Sequence, residues 1–116
     1  MEEVKQHNCY DILIRQNEEV IGYASCNLFG KVLQIRSLFV INRFRGRGIG
    51  EVLLSKVLDY AREQAATRIV AYCGAEPFCE GGQIPIDQEQ SWYEVHGFVH
   101  DHNVMGVTPC MIKDII

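Results

Sequence analysis

A mixed α+β domain is expected for this 116-residue chain, built on one central sheet that opens as an antiparallel meander and gains a parallel strand through a helical crossover. Three observations lead there. Strand-like segments separated by short turns occupy the chain up to Val40. The apolar spacing then switches from two to the helical period at Ile49. A short apolar strand, Ile69 to Cys73, follows that helix.

In Tyr10-Asp11-Ile12-Leu13-Ile14-Arg15, alternation puts Tyr10, Ile12 and Ile14 on one face. About nine residues precede this first strand. Gln16-Asn17-Glu18-Glu19 is a polar turn, and Val20 to Leu28 is the returning strand of a hairpin. Gly30-Lys31 makes the next turn, and Val32 to Val40 is a third strand rich in branched and aromatic residues. Ile41 to Gly48 is a turn-rich connector. Ile49, Val52, Leu53, Val57, Leu58 and Ala61 then mark the inner face of a helix running to about Gln64, with Glu51 at the positive end of its dipole. A strand–helix–strand unit places Ile69–Cys73 parallel to Val32–Val40. Gly74 to Pro85 holds three glycines and two prolines and is expected to be a long, functional loop. Asp87 with Gln90 resembles a capping box for a helix holding Glu89 to Val95, stopped at Gly97. Phe98–His100 and Val107–Ile112 are the closing strands.

Size and composition narrow the function. The 116 residues suit one domain, residues 1–116, and an apolar content of 47% against 22% charged argues against disorder. No apolar run approaches the roughly 20 residues of a membrane-spanning helix. Met1-Glu2-Glu3-Val4-Lys5 lacks the basic start and apolar stretch of a secretory signal. Five cysteines (Cys9, Cys26, Cys73, Cys79, Cys110) without a C-x-x-C pair suit reduced thiols, so a cytoplasmic setting is expected. Cys26 and Cys73 lie in apolar runs and read as core residues. The cysteine and histidine spacings match no common structural zinc site, and no metal is expected. Charge is divided: residues 1–68 carry net +2, residues 69–116 net −6, and no Lys or Arg lies between Arg68 and Lys113. The overall net charge of −4 disfavours a nucleic-acid interface, which needs a basic face.

The chemistry lies in Arg45-Gly46-Arg47-Gly48-Ile49-Gly50, which joins a strand to a helix. Alternate glycines let the backbone turn sharply and gather N–H groups at one point. The helix start adds unpaired N–H groups and a partial positive charge. Such a nest suits a phosphate or pyrophosphate. It is neither a Walker loop nor the dinucleotide fingerprint, whose glycine spacings differ.

This segment, following Leu38-Phe39-Val40, resembles the acyl-coenzyme A signature of the GNAT superfamily of N-acetyltransferases, Arg/Gln-x-x-Gly-x-Gly/Ala, with Arg45, Gly48 and Gly50 in the marked places. Trp92-Tyr93-Glu94-Val95-His96-Gly97-Phe98 resembles a second landmark of that family, an aromatic-Tyr-Glu-x-x-Gly-Phe near the end of the last helix. The resemblance spans residues 10 to 113 and implies the family's fold: a mixed sheet with one splayed parallel strand pair and flanking helices. It implies acetyl-coenzyme A as cosubstrate, with no metal. The pantetheine arm would pair with the backbone of the Leu38-Phe39-Val40 strand end, chiefly at Leu38 and Val40. One of these amides, Leu38 first, would polarise the thioester carbonyl. The amides of Arg45, Gly46, Arg47, Gly48, Ile49 and Gly50 would hold the pyrophosphate. Tyr93 would protonate the leaving thiolate, the ordinary pKa of a phenol, near 10, lying close enough to that of a thiol, about 8.5, to make them sensible partners. The implied activity is acetyl transfer to a primary amine by direct attack in a ternary complex. A coenzyme A-binding regulatory module with little turnover is the other reading.

Two departures stand out. The family's glutamate base, early on its fourth strand, corresponds to Gln34, which cannot take a proton. That leaves Glu76, then Asp87 or a water relay, as candidate bases. The family's opening strand and two helices, which cover the acceptor pocket, have no counterpart in the residues before Tyr10. The acceptor side is therefore expected to be open or completed by a second subunit. Glu76, Glu80, Asp87, Glu89 and Glu94, with no basic residue among them, point to a cationic amine acceptor.

Overall fold

The computed structural model describes residues 1–73, 86–101 and 110–115, without the side chains of Ile86, Asp87, Asp101 and Cys110. Seven strands form one sheet in the order β1-β2-β3-β4-β5-β7-β6, and two helices pack on it. The meander is β1 (Glu2–Gln6), β2 (Cys9–Gln16), β3 (Glu19–Phe29) and β4 (Val32–Val40), paired antiparallel throughout. Helix α1 (Ile49–Glu63) crosses to β5 (Arg68–Tyr72), which pairs parallel with β4 from Val32↔Arg68 to Ile35↔Ala71. Helix α2 (Ile86–Val95) leads to β6 (Val99–Asp101) and β7 (Cys110–Asp114). β7 inserts between β5 and β6, antiparallel to both.

The first correction is β1. The sequence reading begins the sheet at Tyr10, but Glu2–Gln6 already forms a strand, joined to β2 by a tight turn with Asn8 at φ 59°. All five of its residues are exposed, so it has no buried face and no apolar alternation to reveal it. The turn before β3 also uses left-handed backbone, at Asn17 and Glu18, which suits a two-residue hairpin. At α2, Asp87 lies inside the helix and not at its cap, because the helix begins at Ile86. The first closing strand starts one residue later than expected, at Val99; of the second, the part from Cys110 to Asp114 is described, and residues 107–109 lie outside the described residues. Phe98 instead closes the end of α2, its N–H donating to the Tyr93 carbonyl at 3.0 Å while its ring is buried.

One face of the sheet carries the main core. Tyr10 and Ile12 of β2, Ala24, Cys26 and Leu28 of β3, and Leu33 and Ile35 of β4 pack there against Leu53, Leu54, Val57, Tyr60 and Ala61 of α1. Val52, assigned to the inner stripe from spacing, is 44% exposed, and Leu54 is buried in its place. The stripe is centred on Leu53 and Val57, and Val52 sits beyond its edge. Cys26 and Cys73 are core residues as expected. Burial pushes the Cys26 thiol up to about 12, so it is inert at neutral pH. Leu53→Ala, which empties the centre of this interface, is expected to cost about 2–5 kcal/mol of stability. Denaturant unfolding checks it, and a loss under about 1 kcal/mol would contradict the packing assigned here.

A β-bulge prepares the site. Ser25 faces Ser37 and Cys26 faces Ile35, so Arg36 is the extra residue of β4. The bulge shifts the inward parity of β4: Leu33 and Ile35 point into the core before it, Leu38 and Val40 after it. The parallel ladder to β5 ends at the same place, at Ile35. From there β4 runs on to Val40 beside β3 while its other edge is released.

Candidate functional site: a cleft between the released edge of β4 and the two helices

The phase of the β3–β4 ladder decides which amides face the opening. The Ile41 N–H donates to the Ile21 carbonyl at 2.9 Å, and Tyr23 lies opposite Phe39. Hydrogen-bonded residues alternate along an antiparallel strand. Phe39 and Ile41 therefore turn their backbone groups to β3, and Leu38 and Val40 turn theirs to the gap beyond Ile35. A side chain reports the same geometry: Arg45 Nε donates to the Val40 carbonyl at 2.8 Å.

At the far end of β4 a short 3-10 turn, Asn42–Phe44, leads into the glycine segment. Gly46 (φ 79°) and Gly48 (φ 84°) are both left-handed, a conformation costly for any residue with a Cβ. Gly48 caps α1, and the first hydrogen bond of the helix is Val52 N–H to the Gly48 carbonyl at 3.1 Å. The N–H groups of Ile49, Gly50 and Glu51 precede it and have no acceptor within the helix. Arg45 is fixed beside them by Val40, by Asn42 Oδ1 at 3.3 Å and by the Phe39 ring, 5.0 Å from its guanidinium. Its Nη2 is buried and, among the described residues, donates to no protein acceptor. The donor set fits a polyanion.

A cavity of about 400 Å³ joins these parts. Leu38 and Val40 form its strand wall; Phe44, Arg45, Gly46, Gly48, Ile49, Gly50 and Glu51 form the nest end; Gln88, Glu89, Trp92 and Tyr93 of α2 close it. A Cβ on Gly50 would stand 3.1 Å from the Trp92 ring, so this glycine lets α1 and α2 approach. Its tight fit against Trp92 is a packing role that spacing alone does not reveal. Tyr93 is 3% exposed, with its ring 5.0 Å from Phe98 and 5.1 Å from Trp92.

The sequence-derived residues fall into three groups. Leu38, Val40, Arg45, Gly46, Gly48, Ile49, Gly50 and Tyr93 meet on the cavity. The side chains of Phe39 and Arg47 do not line it. Phe39 packs on the other face of the sheet with Ile21 and Ile41, and Arg47 lies 5.1 Å over the Phe44 ring. Gln34 is used structurally, its Nε2 donating to Tyr72 Oη at 3.1 Å across the β4–β5 pair. Glu76, Glu80 and the side chain of Asp87 lie outside the described residues. His96 contacts the Trp92 carbonyl at 2.8 Å and His100 the Glu94 carboxylate at 2.8 Å. Glu89, grouped with the exposed acids in the sequence reading, is buried and faces the cavity. Its spacing of four from Tyr93, one turn of the same helix face, is the signal that could have placed it there.

The model of the GNAT acetyltransferase family matches residues 2–78. The chain belongs to the GNAT acetyltransferase family. The GNAT match takes in the meander, the glycine nest and the parallel strand. Two curated relatives carry the name uncharacterized N-acetyltransferase. One, from Archaeoglobus fulgidus, is 43% identical over 53 residues, which cover 40% of this chain and 36% of the relative. The other, from Methanocaldococcus jannaschii, is 30% identical over 67 residues, covering 52% and 30%. The alignments thus span about a third of each curated relative's length. Among solved GNAT-type structures, the PaiA N-acetyltransferase of Thermoplasma acidophilum, in complex with coenzyme A, superposes with a TM-score of 0.75 at 14% identity, over 93% of this chain and 62% of that one. A Mycobacterium tuberculosis protein in complex with coenzyme A superposes at 0.69 and 12% identity, over 94% and 76%. At these identities the likeness is one of fold.

Proposed function

We propose that the chain is an N-acetyltransferase that moves an acetyl group from acetyl-coenzyme A to a primary amine, the acceptor being cationic. The observation that carries this reading is the cavity on which a left-handed glycine nest, the released amides of β4 and the buried Tyr93 converge. The backbone amides of the nest would hold the pyrophosphate. The edge of β4 would hold the arm as an added strand. The Leu38 N–H would donate to the thioester carbonyl oxygen as charge gathers there. The acceptor nitrogen attacks the carbonyl carbon directly within the ternary complex. As the carbon–sulfur bond breaks, the Tyr93 hydroxyl gives its proton to the departing sulfur. The amine's proton leaves to Glu76, Asp87 or water. The reduced-thiol pattern supports a cytoplasmic setting.

A coenzyme A-binding module with little turnover is the second reading, favoured by Gln34, whose amide is committed to Tyr72 and cannot take a proton. Thioester consumption with a panel of amines, beside calorimetric binding of coenzyme A, separates the two. Binding without consumption would establish the module.

The acceptor preference rests on the charge division. The polycation should outpace a neutral-bodied amine by about tenfold in kcat/KM at low salt, and the advantage should fade as ionic strength rises. Glu76→Gln/Glu80→Gln should reduce it. Equal preference at low salt, or indifference to the double substitution, would remove the cationic acceptor from the account.

A further inference from the structure

β1 is the outer strand at the end of the sheet away from β6, and among the described residues it pairs with β2 alone. Its residues, Glu2-Glu3-Val4-Lys5-Gln6, are all exposed. Its ladder to β2 runs from Glu2↔Leu13 to Gln6↔Cys9 without a register shift. It has neither proline nor bulge, two devices that keep an edge from pairing.

The neighbouring ladder fixes which backbone groups of β1 face outward. The Leu28 N–H donates to the Asn8 carbonyl at 2.8 Å, so Asn8, Tyr10 and Ile12 turn their backbone groups to β3. Cys9, Asp11 and Leu13 turn theirs to β1, where they meet Gln6, Val4 and Glu2. The N–H and C=O groups of Glu3 and Lys5 are left pointing away from the sheet. The side chains of these two residues share the α1 face. Glu3 accepts from the Tyr10 hydroxyl, and Lys5 Nζ lies 3.2 Å from Glu63 Oε2. Each head keeps capacity for another partner: a second oxygen on the carboxylate, two further protons on the ammonium.

An antiparallel strand docks on this edge by setting its own outward residues against Glu3 and Lys5. For a second β1, one register opposes Glu3 to Glu3 and another opposes Lys5 to Lys5, each a like-charge pair. A third register opposes Glu3 to Lys5 on both sides of the axis, with Val4 against Val4 and Glu2 against Gln6. It alone overlaps the whole strand. We infer that β1 is a self-complementary docking edge whose occupant is the β1 of a second copy of this chain, antiparallel about a two-fold axis at Val4. The contact is isologous and joins the two sheets into one. Each Glu3–Lys5 pair exchanges both backbone hydrogen bonds and sets a carboxylate beside an ammonium. The joined edge is short, so the association belongs to the weak, concentration-dependent class. β1 is separated from β4 by β2 and β3, so the inference stands apart from the chemistry of the cavity.

The test is sedimentation of the full chain at low salt, from about 1 μM to about 1 mM, where the parent should pass from monomer to dimer. Glu3→Lys and Lys5→Glu, each alone, put like charges opposite at both pairs and should weaken the dimer by about tenfold. Mixing the two variants opposes Lys to Glu again and should recover the parent's association. That recovery cannot come from repair of the fold, since each chain still carries its own substitution. Lys5→Pro removes an outward N–H while leaving the ladder to β2 intact, and should abolish the dimer with little change in the thermal unfolding curve. A parent that stays monomeric throughout would overturn the inference. So would a dimer indifferent to Lys5→Pro and to both charge reversals, which places the contact elsewhere on the surface. Failure of the mixture to recover what each reversal loses would overturn the register.

Discussion

Tyr93→Phe is expected to lower kcat by about 100-fold, within the range a positioned general acid supplies. The KM for acetyl-coenzyme A should change little, since the hydroxyl would act on the sulfur only as the bond breaks. Tyr93 is buried between Trp92 and Phe98, so a phenyl ring keeps the aromatic packing and removes only the oxygen. Steady-state rates, with single-turnover kinetics to show that chemistry limits, check it. An unchanged kcat under those conditions would remove Tyr93 from the mechanism.

Gly48→Val should reduce acetyl-coenzyme A binding by more than about 100-fold while the chain still folds. Among the described residues nothing lies within 4 Å of a Cβ built on Gly48, and Gly48 lines the cavity, so a side chain there would crowd the place where the nest would take the pyrophosphate. The left-handed backbone at φ 84° adds a strain of roughly 1–2 kcal/mol, which a domain of this size can carry. Gly50→Val is a poorer probe, because its Cβ would press on Trp92 and disturb the α1–α2 contact as well. Calorimetry beside a thermal unfolding curve separates binding from folding. A folded Gly48→Val variant that binds as the parent does would dissolve the phosphate-nest assignment.

The parts of the fold that were legible from sequence are those with a buried face and a local period. β2 to β4 and α1 each carry an apolar stripe, and the switch of period at Ile49 marks the crossover. The sharp turn at the strand-to-helix junction was legible because alternate glycines allow left-handed backbone, which Gly46 and Gly48 adopt. β1 was not, since a fully exposed polar edge strand shows no alternation. The bulge at Arg36 was hidden for another reason: Val32 to Val40 is apolar enough in either parity to read as one regular strand. Yet that bulge is what turns Leu38 and Val40 inward, and the parallel ladder ends at its edge. Glu89 was misread because charge on a helix is ordinarily solvated, and its burial depends on how α2 lies against β4 and α1. The capping box at Asp87 failed because three further residues joined the helix ahead of Glu89.

The central claim is that the cavity between β4, the glycine nest and α2 performs acetyl transfer. The most direct measurement is release of free thiol from acetyl-coenzyme A by the purified chain, with a polycationic amine present or omitted. The account predicts thiol release that depends on both enzyme and amine, matched mole for mole by acetylated amine. Tight binding of acetyl-coenzyme A with no amine-dependent thiol across the panel would contradict it.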